Sequence, residues 1–202
     1  VFGEGRYSPV VRAELLAMSA ASIDRYLAPA KATDQIRGVS TTKPSPLLRS
    51  AIKIRKAGDE VEAEPGFFEG DTVAHCGPTL KGEFARTVNL TDVHLGWVFT
   101  RSVRNNAQVH VLSALKAGVQ VIPFEVTGLD FDNGSEFLNH HLTRYFLQRK
   151  QPVCFTRSRP YHKNDNAHVE QKNWTHVREL LGYDRLDDPA MVKVLNALYL
   201  SL

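Results

Sequence analysis

The chain has 202 residues, 43% hydrophobic and 23% charged, with a formal net charge of +3. That supplies one sizeable core with an ordinary charge balance, and too little net charge to imply a nucleic-acid partner by itself. No run of about 18 apolar residues is present to span a bilayer, no apolar run with a cleavage site accompanies Arg6 or Arg12, and Cys76 and Cys154 lack the spacing of a zinc site or the number for a disulfide framework. The cysteines read as buried free thiols in a reducing cytoplasm.

In chain order, residues 9–28 predict two short helices around a turn. Val10, Val11, Leu15 and Leu16 form the first apolar face. Ser19 is the expected N-cap of the second helix, Ile23 and Leu27 its inner face, and Pro29 its end. The pair resembles the end of a helix-turn-helix unit, with Ala21, Ser22 and Arg25 exposed toward DNA; a helical hairpin without that role fits the same residues. Residues 1–36 are therefore expected to be a partial DNA-binding segment. Residues 37–66 read as a basic linker with a short strand near Ile52–Arg55. Between Gln35 and Gly58 there are six basic residues and no acid, followed by four acids in residues 59–64. A second basic stretch runs from Arg144 to Arg178, with eight Lys or Arg against Asp165 and Glu170. Such stretches fit phosphate contacts or a solvated surface.

Residues 67–202 carry an α/β pattern. Strands are expected at Phe67–Cys76, Glu83–Leu90, Trp97–Val103, Val121–Asp130 and Val153–Thr156. Helices are expected at Asn105–Ala117 (stopped by Gly118), at Ser135–Lys150 and at Asp165–Leu180 (stopped by Gly182). A last helix starts at Pro189 and is still running at Leu202. Three strands, helix, strand, helix, strand, helix is the order of a ribonuclease-H-like fold, a five-stranded mixed sheet flanked by helices.

Three acids stand out on this frame. Asp71 lies inside the first strand, sharing a face with Val73 and His75 by alternation. Asp132 ends the fourth strand ahead of an Asn133-Gly134 turn, with Asp130 as a rival on the same face. Glu170 sits one turn into a helix that Asp165 or Asn166 caps. A solvent-facing strand acid, an Asx-turn acid and a surface glutamate would explain them singly. Together, two strand aspartates and a helix glutamate suit hard divalent cations. Two such ions about 4 Å apart can clamp an in-line phosphoryl displacement.

The run Asp132-Asn133-Gly134-Ser135-Glu136-Phe137, followed by Asn164-Asp165-Asn166-Ala167-His168-Val169-Glu170, resembles the catalytic core of DDE-type bacterial insertion-sequence transposases and retroviral integrases. There are 60 residues between Asp71 and Asp132 and 37 between Asp132 and Glu170, and both gaps suit that family. Pro160-Tyr161, Thr91-Asp92 and Gly96-Trp97 fit it too, and the resemblance covers about residues 60–185.

The resemblance implies metal-dependent cleavage and strand transfer on DNA, with Asp71, Asp132 and Glu170 holding two Mg²⁺ or Mn²⁺ and no nucleotide cofactor. It implies phosphate contacts from Arg157, Arg159, Lys163 and Lys172, and loop-orienting roles for Asn133 and Asn166. His75 and His168 lie near the acids by spacing but read as packed or solvent-facing. Element ends and target DNA are the expected partners, with a homo-oligomer on DNA, no membrane, and a cytoplasmic, nucleoid-associated setting. Retroviral relatives place a lysine one helical turn after the glutamate; here Trp174 stands there, with Lys172 nearby. The expected core is C-terminally truncated. That leaves a second reading, a catalytically incomplete fragment acting as a DNA-binding repressor, and a third, a nuclease that cuts without joining.

Overall fold

A computed structural model describes residues 8–34, 52–55, 62–132, 134, 136–137, 139–149, 151–159 and 163–202, without the side chains of 31–34, 163 and 164. The chain divides into two compact units, residues 1–37 and 38–202.

The first unit holds two helices, α1 (Pro9–Ala17) and α2 (Ala20–Asp34). Ser8 caps α1 by accepting from Val11 N at 3.3 Å, and Ser19 caps α2 by accepting from Ser22 N at 3.2 Å. The expected apolar faces are not buried: Leu16 is 78% exposed, and Val10, Leu15, Ile23 and Leu27 are exposed as well. Pro29 does not end α2, which runs through it to Asp34.

The second unit is built on one sheet in the order β1-β6-β5-β2-β3-β4. Its strands are β1 (Lys53–Ile54), β2 (Phe67–Ala74), β3 (Arg86–Asp92), β4 (Val98–Val103), β5 (Gly128–Phe131) and β6 (Cys154–Arg157). β2, β3 and β4 form an antiparallel meander, whereas β1, β6, β5 and β2 run parallel. The expected five strands are all present. The sheet gains a sixth because the short linker strand pairs with β6 through Lys53–Thr156 and Ile54–Arg157. This is the ribonuclease-H-like α/β fold.

Period-two alternation divides the sheet into two unlike faces. Phe68, Val88, Leu90, Leu129, Phe131 and Phe155 line one face. They pack on α3 (Gln108–Val121) through Val111, Ala114 and Leu115 and on α4 (His140–Leu147) through Leu142 and Phe146. Each fully buried side chain of this size contributes roughly 1.5–3 kcal/mol. Phe131 stacks on Phe137 with ring centroids 4.2 Å apart.

The helices depart from the expected bounds for packing reasons. Gly118 does not stop α3; it lies inside the helix because a Cβ there would sit 2.9 Å from the Phe99 ring. Val121 therefore belongs to α3, and β5 begins only at Gly128. α4 starts at His140, where Asn139 accepts from Leu142 N at 2.9 Å and displaces Ser135 as the N-cap.

The other face carries a segmented helix. A 3-10 turn (Lys163–Asn166) leads into α5 (Ala167–Asn173), a π-helical turn (Trp174–Arg178) and α6 (Glu179–Leu181). Gly182, at φ 64°, stops it as expected. α7 (Pro189–Tyr199) is capped by Asp188 and ends before Leu202. It closes the β4 edge: Asn196 accepts from Ser102 N at 2.7 Å and donates to Ser102 O at 3.1 Å, standing in for the next strand.

Candidate functional site

The face under α5 is polar where the opposite face is apolar. Register pairs Glu69 with Thr91 on one side and Asp130 on the other, and Asp71 with Asn89. The β2–β5 pairing ends at Gly70–Phe131, so the next residues along, Asp71 in the middle of β2 and Asp132 just past the carboxyl end of β5, are brought side by side.

Asp71 is half-buried. Its Oδ1 accepts from Thr72 N and its Oδ2 from Asn173 Nδ2, both at 2.7 Å. Asn173 in turn accepts from Asn89 Nδ2 at 3.0 Å, so α5 is stitched to β2 and β3 at this point. Burial above all, together with the charges of Asp132 and Glu136, pushes the Asp71 carboxyl up to about 8 against those two hydrogen bonds. Asp132 accepts from Gly134 N at 2.8 Å, the Asx-turn expected of that motif. Asn133 itself lies outside the described residues.

Glu136 was legible only as part of a motif, yet it belongs to the site. It is buried, with Oε1 accepting from Thr72 Oγ1 at 3.3 Å and meeting Arg86 Nη1 at 3.5 Å. Arg86, also buried, donates to Thr72 Oγ1 at 3.2 Å. A Cβ on Gly134 would lie 2.8 Å from both Asp132 Oδ1 and Glu136 Oε2, so two carboxylates converge where only a glycine leaves room. Hard oxygen donors, one of them driven up by burial and by its neighbours' charge, suit a divalent cation.

Glu170 is placed differently. It lies on the exposed side of α5, while Val169 and Asn173 face the sheet. The carboxylates that raise Asp71 are Asp132 and Glu136. Among the described residues, no three His, Cys, Asp or Glu side chains are gathered so as to hold a metal ion.

The rival Asp130 sits deeper beneath α5. It accepts from Thr156 Oγ1 and, with the Asn166 amide turned to donate, from Asn166 at 3.0 Å. Burial pushes it up to about 7. Beside it the buried Glu69 accepts from Val169 N at 3.0 Å and from His168 Nδ1 at 2.8 Å. The N-terminus of α5 has no side-chain bond from its own N-cap, Asn166, so a carboxylate on β2 caps it instead. His168 is thereby tied to Glu69. His75 is buried, bonded to Thr87 Oγ1 at 2.8 Å and pushed down to about 4 by burial and the cations Arg178 and Arg86.

The expected phosphate contacts separate. Arg157 is buried within β6, between β1 and β5, which takes it out of any exposed phosphate track. Arg159 holds Asp165 through two 2.8 Å bonds, Nε to Oδ2 and Nη2 to Oδ1, and so braces the loop before α5. The Lys163 side chain lies outside the described residues. Lys172 is half-buried, its Nζ directed at the Gly96 turn, 3.9 Å from where a Cβ would stand. On α2, Ser22 is half-buried with its Oγ 3.1 Å from Ser19 Oγ, whereas Arg25 is exposed. Glu69, Arg86, Asn89 and Asn173 were not anticipated; each acts through a partner at least 14 residues away in sequence.

No protein-family model matches the chain. It is 38% identical over 192 residues to the uncharacterized protein y4rM of Sinorhizobium fredii (strain NBRC 101917 / NGR234), covering 95% of this chain and 54% of the relative. The chain thus spans about half the length of the curated relative it matches. Among solved structures it is similar to a chain of the simian T-cell lymphotropic virus intasome in complex with the PP2A regulatory subunit B56 gamma. The TM-score is 0.51 at 16% identity, over 86% of this chain and 59% of that one. It is also similar to the catalytic core domain of BIV integrase, with a TM-score of 0.47 at 18% identity over 66% of this chain and 80% of that one. At 16% identity the likeness to the intasome chain speaks to fold alone.

Proposed function

We propose that residues 67–202 form the catalytic core of a DDE-type transposase or integrase, cutting DNA strands and joining them to target DNA. The observation that carries the reading is the Asp71–Asp132 pair, two carboxylates brought together where β5 ends beside the middle of β2, one of them pushed up to about 8. A protein that merely needed stability would gain by replacing such a pair, which is a common mark of a functional site. Asp71 and Asp132 would hold Mg²⁺ or Mn²⁺, in a two-ion arrangement with Glu170 as the third carboxylate. When bound, the metal would activate the attacking oxygen and offset charge at the phosphate. Asn173 and the Gly134 turn orient the two aspartates. Arg25 and Lys172 supply cations toward DNA, and the assembly on DNA is oligomeric. Bacterial insertion sequences are the proposed source.

The test is Mg²⁺- or Mn²⁺-dependent nicking of a supercoiled plasmid and joining of labelled duplex ends, with Asp132→Asn as control. The reading predicts metal-dependent products that the variant lacks; equal behaviour of the two proteins would refute it.

A second reading is favoured by one observation: Glu170 is not gathered with the aspartates. On that reading the chain binds element ends without cutting and acts as a repressor. It predicts retained DNA binding with no nicking in either metal.

A further inference from the structure

Trp174 is the large aromatic that the fold leaves in the open beside the candidate site. Its side chain is 51% exposed, whereas Trp97 is packed against Phe68 and Phe124. Trp174 follows Asn173, whose amide holds Asp71 at 2.7 Å. It also stands one turn after Glu170, with its own N–H bonded to Glu170 O and Gln171 O, so the two side chains share one exposed stripe of the helix.

The π-helical turn begins at Trp174, and turns of this kind are frequent at functional sites. In an uninterrupted α-helix His176, seven residues after Val169, would take the inward position. Here Val177 is fully buried and His176 only half-buried. The extra residue changes the phase of the helix just where the indole is turned to solvent.

The surroundings are polar rather than apolar. Gln171 and Thr175 are exposed, and Lys172 and His176 are half-buried, burial and the nearby Lys172 both pushing the His176 pKa down. One flat π-face among polar groups, with Lys172 beside it, makes a poor apolar docking patch for a protein but a good platform for a nucleobase. Base–aromatic stacking is worth about 1–3 kcal/mol and tolerates any sequence.

We infer that Trp174 is a stacking platform for an unpaired base at the DNA end brought to Asp71 and Asp132. The inference rests on the DNA-processing reading of that site.

The test uses the whole chain and two fluorescein-labelled duplexes of the same sequence, one blunt and one with a short single-stranded tail. Wild type should bind the tailed duplex more tightly, and that binding should quench tryptophan fluorescence in a Trp97→Phe background. Trp174→Ala should lose about tenfold in affinity for the tailed duplex and bind the blunt one as before, while Trp174→Phe retains most of the preference. Equal affinities of wild type and Trp174→Ala for the tailed duplex, or absence of quenching, would overturn the platform. If wild type nicked plasmid in the presence of metal at the same time, the site reading would stand without it. Failure of wild type to bind either duplex or to nick would remove the site reading and the platform together.

Discussion

The two faces of the sheet use the same strands for opposite ends. Phe68, Leu90, Leu129 and Phe131 point one way into a core without a charge among them. Glu69, Asp71, Asn89 and Asp130, their sequence neighbours, point the other way under α5. The first face is held by area removed from water, which is non-directional and forgiving of detail. The second is held by hydrogen bonds with named partners, and each costs free energy when a partner is missing. Stability is concentrated on one side of a single layer and chemistry on the other. Mutations on the two faces should therefore differ in sign, and not only in size.

The largest effect is expected on the apolar face. Phe131→Ala empties a fully buried site stacked on Phe137, and a loss of about 3–5 kcal/mol is expected in urea unfolding. A loss below about 1 kcal/mol would mean that this face is not the main core.

Next in size is a pH effect at His75, on the polar face. Its pKa is pushed down to about 4 from 6.5, so the folded state resists protonation that the unfolded chain accepts. The stability this provides is complete above pH 6.5 and is lost as the pH falls from 6.5 toward 4. Over that window wild type should lose roughly 3 kcal/mol more than His75→Gln. Parallel pH profiles of the two proteins would contradict the burial argument.

Asp71→Asn should act in the opposite direction to Phe131→Ala. A carboxyl pushed up to about 8 from 3.8 contributes its full stability only below pH 3.8, and the contribution is lost as the pH rises from there through about 8. In chelator-treated protein at pH 8 the variant should be more stable than wild type by something on the order of 2 kcal/mol, after allowance for partial solvent exposure and a rearranged Asn173 bond. A lower melting temperature for Asp71→Asn would place Asp71 among ordinary structural acids.

The contrast between the faces also explains what could be read from the chain. β2, β3 and β4 were legible because Phe67–Val103 carries β-forming runs separated by turn residues. The Gly182 stop and the Pro189 start were legible too, from the residue types that end and open helices. The shortened β5 was not legible, because Val121 and Ile122 look like strand until α3 is seen to run through Gly118. The late start of α4 followed from Asn139, which bonds Leu142 N locally, whereas Ser135 offered only the right residue type. At the site, Asp132 could be singled out from its turn motif, and Asp71 from its place inside a strand and its gap to Asp132. Their clasp could not, since Asn173 meets Asp71 across 102 residues and Arg86 meets Glu136 across 50. The depth of Arg157 was not legible, because basic character says nothing about burial.

The most direct test of the central claim is a calorimetric Mn²⁺ titration of the whole chain at pH 7 in two buffers of different ionisation enthalpy. If Asp71 and Asp132 form the metal site, wild type should bind Mn²⁺ and release a proton from Asp71 as it does so. The measured heat should then differ between the buffers, and Asp132→Asn should abolish both the binding and the difference. Absence of Mn²⁺ binding by wild type, or equal affinity in Asp132→Asn, would contradict the account.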